Sequence, residues 1–350
     1  MRVLVTGGAG YIGSHSVRAL VAQGHEVVVL DTLEHGHREA IGEVPLIVGT
    51  AGDRALVRDL LVDARIEAVI HLAAYKSVEE SVRSPERYVE NNVRVSQRLL
   101  DAMAEARVDR LVFSSSCAVY GSPERLPVDE EAPLRPENPY GESKLLVERV
   151  LAAASGLRWI ALRYFNAAGA ALDGSIGEDW SDAPNLVPVV LKAAMGRIPE
   201  LPVFGTDYPT LDGTAIRDYT HVLDIADAHV RALEALGDGE PSGVLNVGTG
   251  RGYSVREVVE AARAQTGAPI PVRELGRRPG DPAMIWADSR RIQRRLGWLP
   301  RYGIDEIIAT AWQWHLGHPD GFAAPQVPAA PGSGRRVVAT AGSAARSPLR

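Results

Sequence analysis

The stretch "RVLVTGGAGYIG", residues 2–13, joins a short apolar run directly to a glycine-rich turn. Gly7, Gly10 and Gly13 follow the apolar run, and the pattern predicts that a helix opens at about Tyr11. Glycine lets the chain turn tightly and lets a pyrophosphate approach backbone N–H groups at a helix N-terminus. The stretch therefore predicts a strand, a phosphate-binding turn and a helix, in the order that opens a dinucleotide-binding α/β fold.

An acidic residue stands where such a site needs one. Asp31 ends the second apolar run, 18 residues beyond Gly13, where a carboxylate can accept hydrogen bonds from an adenosine ribose diol. The same charge would repel a 2′-phosphate, so NAD is favoured over NADP. The alternative is a glycine-rich turn without a ligand, and the acidic partner weighs against it.

Short runs rich in β-branched residues alternate with segments of helical period in the N-terminal half. Strands that are apolar on both faces and separated by helices indicate a parallel sheet covered on both sides. The predicted fold class is α/β, a doubly wound parallel Rossmann-type sheet with a smaller mixed C-terminal region. The predicted strands cover residues 2–7, 25–31, 45–49, 67–74 and 110–116.

The pattern changes at about residue 166, where Gly, Asp and Pro become frequent. Residues 1–165 are predicted to form the NAD-binding domain, and residues 166–320 a smaller mixed region with some segments returning to the sheet. Residues 321–350 are dominated by Ala, Pro, Gly and Ser. Such a segment cannot bury enough apolar surface to order itself, which predicts a disordered tail without function.

Bulk composition limits the classes of partner. The chain has 350 residues, 45% hydrophobic and 23% charged, with a net charge of −6. Lacking clustered Lys and Arg, it is not expected to bind nucleic acid, and lacking an apolar run of roughly 20 residues, it is not expected to enter a membrane. Cys117 is the only cysteine, so a disulfide or Cys-based zinc site cannot form, no metal is predicted, and a cytoplasmic location is expected.

The stretch "NPYGESK", residues 138–144, places Tyr140 and Lys144 four residues apart in a chain with few lysines. Spacing alone is weak evidence, but Pro139 suits a first helical position and Asn138 the cap before it. On a helix starting here, the two side chains share a face. A phenol with a pKa of about 10 is a poor base, but a nearby ammonium, helped by a positive nicotinamide, favours the phenolate.

Ser116 closes the fifth predicted strand, at the carboxyl edge where ligands bind in open α/β sheets. Its hydroxyl could hydrogen-bond a substrate oxygen and share the proton with Tyr140. Taken alone, Ser116 is equally well explained as a capped strand end. Together with the predicted helix, Ser116, Tyr140 and Lys144 indicate a proton-transfer site.

The motifs, taken in order from about residue 1 to about residue 320, resemble those of the UDP-glucose 4-epimerase family of extended short-chain dehydrogenases/reductases. The later motifs are far more specific than the glycines. The segments that carry the resemblance are "RVLVTGGAGYIGSH", "VIHLAAYKSVEES", "NNV", "FSSSCAVYG", "NPYGESK", "LRYFNAAGA", "FGTDYPTLDGTAIRDYTHV" and "GDPAMIWAD".

The resemblance implies a tightly held NAD⁺ and inversion at C4 of a UDP-hexose, which interconverts UDP-galactose and UDP-glucose in galactose metabolism. Tyr140 would remove the proton of the sugar 4-hydroxyl while a hydride leaves C4, and the resulting 4-keto sugar would rotate before the hydride returns. Residues 166–320 would mainly bind the substrate. Helices at about 85–106 and 138–154 would pair across a homodimer.

Motif positions also assign residue roles by resemblance. The catalytic residues would be Ser116, Tyr140 and Lys144. The cofactor would contact Gly7, Gly10, Tyr11, Ile12, Gly13, Asp31, Leu72, Ala73, Lys76, Asn91, Ser116, Tyr140, Lys144 and Phe165. The substrate would contact Lys76, Ser116, Tyr140, Asn166, Asn185, Leu186, Phe204, Arg217, Arg278 and Asp281.

The sequence departs from the family pattern at three positions. Thr50 replaces an acidic residue near the adenine, so either one hydrogen bond is lost or Asp53 moves in through a shifted loop. Ala118 removes a hydroxyl near the sugar. Ile285 stands where side-chain size controls access for N-acetylated sugars, and its intermediate size leaves dual specificity open.

Two residues weigh against one rival function, and other rivals stay open. A 4,6-dehydratase needs an Asp-Glu pair where this chain has Cys117 and Ala118, which cannot transfer those protons. Epimerases of other nucleotide sugars, including N-acetylhexosamines, uronic acids and pentoses, stay open, as does, less favourably, a non-catalytic NAD-binding regulator. His35 and His37 are interpreted as a solvated turn without an acidic partner at ligand spacing, and His221 as a structural or substrate-pocket residue.

Overall fold

The structure is a computed structural model, and it describes residues 1–181, 183, 185–278 and 280–322. Apart from Gly321 and Phe322, the predicted tail at 321–350 lies outside the described residues. The strands are β1 (Arg2–Thr6), β2 (Glu26–Asp31), β3 (Leu46–Val48), β4 (Ala68–His71), β5 (Arg110–Ser116), β6 (Arg158–Tyr164), β7 (Asn166–Ala168), β8 (Leu201–Phe204), β9 (Ile216–Arg217), β10 (Tyr219–His221), β11 (Gly243–Val247), β12 (Tyr253–Ser254), β13 (Val272–Leu275) and β14 (Met284–Ile285).

Helices connect most of these strands. The helices are α1 (Tyr11–Ala22), α2 (Arg54–Asp63), α3 (Val78–Arg83), α4 (Pro85–Tyr88), α5 (Val95–Ala106), α6 (Pro139–Ala153), α7 (Leu186–Ala194), α8 (Val222–Gly237), α9 (Val255–Thr266), α10 (Arg290–Leu296) and α11 (Ile304–Gly317). A π-helical turn, Val89–Arg94, joins α4 to α5.

The five predicted strands form β1 to β5 of a central sheet. Its seven described strands, in the order β11-β6-β5-β4-β1-β2-β3, are all parallel. Chain order reverses between β1 and β4, the point at which open α/β sheets form a ligand crevice. The predicted doubly wound α/β fold class is confirmed.

Alternation along β1 explains why its sequence is uniformly apolar. Val3 and Val5 are fully buried on the face covered by α1 and α8, whereas Leu4 is fully buried on the face covered by α2, α5 and α6. A sheet covered on both faces needs apolar residues at every position. The apolar layers on the two faces together form the first core, and they fix the orientation of the central strands.

The later part of the chain contributes to both regions. α7, α9 and α11 enclose a second apolar core, with the two-stranded sheet β8–β13 and the three-stranded sheet β12–β9–β14 beside it. β11 instead joins the edge of the central sheet beside β6, and α8 packs against α1. Segments after residue 166 thus lie in the second core and in the central sheet.

Candidate active site

Every residue expected to contact cofactor or substrate lines one cavity of about 1460 Å³. The cavity runs from the glycine turn after β1, past the carboxyl ends of β4 and β5, to the region around β8 and β9. It joins the residues assigned by motif position to the cofactor with those assigned to the substrate. These residues are Gly7, Gly10, Tyr11, Ile12, Gly13, Asp31, Leu72, Ala73, Lys76, Asn91, Ser116, Tyr140, Lys144, Phe165, Asn166, Asn185, Leu186, Phe204, Arg217, Arg278 and Asp281.

The turn after β1 accepts only glycine at its two critical positions. Gly7 has a φ of +71°, and a Cβ there would lie 2.6 Å from the backbone nitrogen of Ala73. A Cβ on Gly13 would lie 2.1 Å from the carbonyl oxygen of Gly7. The missing side chains leave a backbone cradle at the start of α1, which begins at Tyr11 as predicted. Such a cradle fits the pyrophosphate of a dinucleotide.

Asp31 ends β2 and faces the same cavity. Its two oxygens each accept one backbone N–H, from Leu33 and Ala9, both at 2.9 Å. Burial raises the pKa of this carboxyl, while those hydrogen bonds lower it. Each carboxylate oxygen retains a second lone pair. The site therefore has acceptors available for the diol of an adenosine ribose.

The structure shows where Thr50 and Asp53, the two residues of the departure near the adenine, lie. Thr50 lines the cavity, and its hydroxyl accepts a hydrogen bond from the backbone of Gly52 at 3.1 Å. Asp53 caps α2 by accepting from the backbone N–H of Leu56 at 3.0 Å. Asp53 is not among the residues that line the cavity, which favours the alternative in which one hydrogen bond to the adenine is lost.

Tyr140, Lys144 and Ser116 come together where α6 begins and β5 ends. Asn138 caps α6 by accepting from the backbone N–H of Gly141 at 2.9 Å, and Pro139 is its first residue, as predicted. Lys144 Nζ donates to the carbonyl oxygen of Ser114 at 2.9 Å and lies 5.9 Å from the Tyr140 ring centroid. The helix start and the strand end therefore place all three groups at one wall of the cavity.

Burial is the main influence on the pKa values of Tyr140 and Lys144. Burial raises the pKa of Tyr140 to about 12, although the hydrogen bond with the Ser116 hydroxyl lowers this pKa. It also lowers the pKa of Lys144 to about 7, although the charge of Glu148 raises it. The expected lowering of the Tyr140 pKa is therefore not achieved by protein side chains alone, because the desolvation of the phenolate outweighs them.

Two arginines lie at the other end of the cavity. The Arg278 guanidinium stacks 3.7 Å from the centroid of the Phe204 ring, and Arg217 lies 4.0 Å from the Asp281 carboxylate. A guanidinium binds diphosphate oxygens in a bidentate manner, and an aromatic ring can hold it in place. This end can receive an anionic group while the sugar lies near Tyr140.

Small and apolar residues line the wall between these ends. Cys117, Ala118 and Ile285 all face the cavity, so the positions where a dehydratase carries acids hold neither carboxylate. Burial raises the pKa of the Cys117 thiol to about 12. The group is therefore a neutral thiol at physiological pH.

Glu178 is a cavity residue that the motifs did not identify. It is 5% exposed, and its carboxylate accepts from Lys76 Nζ at 3.1 Å and from the Asn185 amide at 3.2 Å. It thus links a residue expected to contact cofactor with one expected to contact substrate. A lone Glu in a Gly- and Asp-rich stretch carries no periodic or motif signal, so only the three-dimensional structure reveals its position.

The interpretation of His37 as part of a solvated turn is wrong. Its Nε2 lies 2.9 Å from the Asp179 carboxylate, and its side chain is 15% exposed. The acidic partner belongs to a distant part of the chain, so local spacing could not reveal it. His35 is well exposed, as expected.

His221 has a structural position. It is fully buried, accepts from the backbone of Leu223 at 3.1 Å and hydrogen-bonds the Thr310 hydroxyl at 3.1 Å. Across residues 1–181, 183, 185–278 and 280–322, no group of three or more His, Cys, Asp or Glu side chains is placed to hold a metal ion. None of the helices described has the length and apolar character needed to cross a membrane.

The sequence pattern of the NAD dependent epimerase/dehydratase family matches residues 3–248, and the chain belongs to that family. A UDP-glucose 4-epimerase of Lactobacillus helveticus is 48% identical over 92% of this chain and 99% of its own length. Within the family, the chain is therefore a member of the UDP-glucose 4-epimerases, as the motifs predicted.

Solved structures agree with this placement. A Stenotrophomonas maltophila UDP-glucose 4-epimerase with bound NAD and formylated UDP-arabinopyranose has a TM-score of 0.88 and 42% identity, covering 91% of this chain and 99% of its own. A Brucella ovis UDP-glucose 4-epimerase in complex with NAD has a TM-score of 0.87 and 45% identity, covering 89% and 97%.

Proposed function

We propose that this protein interconverts UDP-galactose and UDP-glucose by inverting the configuration at sugar C4 through a transient 4-keto sugar, with NAD as its cofactor. The observation that carries the proposal is the single cavity, which joins the glycine cradle and Asp31 to Tyr140 and to the arginine end. Membership among UDP-glucose 4-epimerases supports the same activity.

Different residues along the cavity bind different parts of the cofactor and the substrate. Gly7 and Gly13 leave room for the pyrophosphate, and Asp31 accepts from the ribose diol. Arg217 and Arg278 hold the UDP diphosphate. The other residues that motif position assigns to cofactor or substrate also line the cavity. We propose that each of them contacts the ligand to which its motif position assigns it.

Proton transfer belongs to Tyr140 and its neighbours. Tyr140 accepts the proton of the sugar 4-hydroxyl and returns it after inversion, while the Ser116 hydroxyl holds the same oxygen. NAD⁺, when bound, would supply the hydride acceptor, and its oxidised nicotinamide ring would carry a positive charge. A positive charge near Tyr140, together with a protonated Lys144, would favour the phenolate against the burial that raises the Tyr140 pKa to about 12.

The wider setting belongs to the same proposal. We infer that the protein acts in galactose metabolism in the cytoplasm, as a homodimer that pairs through helices at about 85–106 and 138–154. Its partner molecule is a UDP-hexose. Because Ile285 in the cavity wall is of moderate size, UDP-N-acetylhexosamines should be tested as substrates in addition to UDP-hexoses.

The activity test uses purified protein without added NAD. UDP-galactose should be converted to UDP-glucose, and denaturation should release NAD(H). UDP-N-acetylgalactosamine in parallel measures the breadth of the site. Bound NAD without interconversion of the two hexoses would show that the proposed substrate is wrong.

A substitution at Tyr140 tests the mechanism. Tyr140→Phe should retain NAD and lose turnover by about 10²- to 10⁴-fold, the usual contribution of a general base. Tyr302→Phe is the matched control, because it also removes a phenolic hydroxyl, but from a residue that does not line the cavity. Turnover of Tyr140→Phe close to that of the control would remove Tyr140 from the proposed role.

A further inference from the structure

The segment of residues 169–181, here called the strap, follows β7 and runs beside the glycine turn. Gly177, Glu178, Asp179 and Ser181 of the strap line the cavity. The strap therefore forms part of the wall of the cavity that also contains the glycine cradle after β1.

The strap is fixed to the second core through α11. Trp314 Nε1 donates to the carbonyl oxygen of Glu178 at 3.0 Å. Trp180 stacks on His315 with 3.9 Å between ring centroids, and the Thr310 hydroxyl accepts from the backbone of Ala170 at 3.1 Å. Both ends of the strap are thereby held by one helix of the second core.

The strap also contacts the nucleotide end of the cavity at two points. The Tyr11 hydroxyl donates to the carbonyl oxygen of Gly169 at 2.6 Å, and Asp179 pairs with His37 at 2.9 Å. His37 lies in the loop that follows Asp31, whose carboxylate accepts from the backbone of Ala9. These contacts close a ring that runs from Tyr11 along the strap to His37, through Asp31 and back to the glycine turn.

The Asp179–His37 contact is shielded from water. The two side chains are 20% and 15% exposed. The Phe322 ring stacks on His37 at 4.4 Å, with 18° between the planes. Burial raises the pKa of Asp179, but hydrogen bonds from His37 and Ser181 outweigh it and hold the pKa well below its usual value. A hydrogen bond to a carboxylate that is shielded from water contributes more than an exposed one, so this contact helps to close the ring.

We propose that the strap, held shut by the Asp179–His37 hydrogen bond, retains the dinucleotide in its site between catalytic cycles. Asp179 and His37 are positioning residues in this role, since they act by closing the ring rather than at the reacting atoms. The inference rests on the proposed function, because it takes NAD as the resident ligand of the cradle.

The test measures cofactor retention on the full-length purified protein. Asp179→Asn removes the carboxylate charge with little change in size, His37→Asn removes the imidazole that faces it together with its stacking on Phe322, and the double variant completes a thermodynamic cycle. Asp109→Asn is the matched control, because it breaks the Asp109–Arg158 pair at the opposite edge of the sheet. The readouts are NAD(H) per chain after denaturation and the rate of exchange into isotopically labelled NAD, with melting temperatures to verify folding.

Each single variant should exchange NAD roughly tenfold faster than the wild type, as expected for loss of one shielded charged hydrogen bond. The double variant should exchange no faster than the faster single variant, and Asp109→Asn should match the wild type. Turnover of Asp179→Asn without added NAD should fall, and added NAD should restore it.

Two results distinguish failure of the retention role from failure of the proposed function. A wild-type protein that epimerises UDP-galactose and exchanges NAD as fast as folded Asp179→Asn overturns the retention role alone. A wild-type protein that neither contains NAD nor epimerises overturns the proposed function and this inference with it.

Discussion

At the scale of single residues, a buried ion pair supports the strand end and the helix that carry the proposed proton-transfer group. Arg163 on β6 donates to Glu148 on α6 through Nε at 2.9 Å and Nη2 at 2.5 Å, and the side chains are 3% and 6% exposed. The Ser115 hydroxyl of β5 donates to the same carboxylate at 2.5 Å. One carboxylate thus ties together two strands and the helix that bears Tyr140 and Lys144.

Removing this charge should be costly. We expect Glu148→Gln to lower the free energy of unfolding by about 3–5 kcal/mol, because it leaves the Arg163 charge buried without a counter-charge. Glu142→Gln on the exposed face of the same helix is the control, and it should change stability by less than about 0.5 kcal/mol. Denaturant unfolding of both variants measures the difference, and equal effects would show that the buried pair has no special role.

Residue position could be predicted where the chain carries local signals. Asn138 and Pro139 indicate the start of α6, and the strand end fixes Ser116, so the sequence alone was enough to place the three catalytic candidates. Glu178 and His37 could not be placed in this way. Their partners lie on distant segments, and pairing across a fold leaves no trace in local spacing.

At the scale of elements, the sheet was predictable because uninterrupted apolar runs require cover on both faces. The π-helical turn Val89–Arg94 was not predictable from the sequence. Its hydrogen bonds span one residue more than those of an α-helix, and this change requires no distinctive amino-acid composition. The pairing of β11 with β6 was also not predictable from the sequence. Its short apolar run could pair with any exposed strand edge, and only tertiary packing selects β6.

The helices around this π turn carry an exposed apolar surface. Val82 on α3 and Val89 are 63% and 42% exposed, close to the helices proposed to pair in a homodimer. We expect Val82→Glu with Val89→Glu to weaken dimerisation at least about tenfold, because charges would be buried in the interface. Sedimentation analysis over a range of concentrations measures this. Val62→Glu, at a residue 57% exposed on α2, is the control, and dissociation of the control alone would locate the interface elsewhere.

At the scale of the whole molecule, buried histidines predict sensitivity to acid. Burial lowers the pKa of five histidines of the described chain from 6.5, to about 4 for His15 and His229 and to about 3 for His71, His221 and His315. Between these values and 6.5 the unfolded chain binds more protons than the folded one, so stability falls as the pH falls. Each histidine contributes up to about 1.4 kcal/mol per pH unit.

The measurement is denaturant unfolding between pH 7 and pH 5. Stability should drop steeply over this range, and His229→Gln, which removes one such group, should show a shallower slope. A slope in His229→Gln identical to that of the wild type would mean that His229 already binds a proton in the folded state.

The return of β11 to the central sheet has a consequence for how the chain is made. On the ribosome, the strands through β6, which ends at Tyr164, emerge well before β11, which begins at Gly243. Until then the nascent sheet presents β6 as an open edge that another chain could pair with. Fragments that stop before residue 243 should therefore aggregate, and recovery of the native protein should depend on chaperones that shield this edge during synthesis.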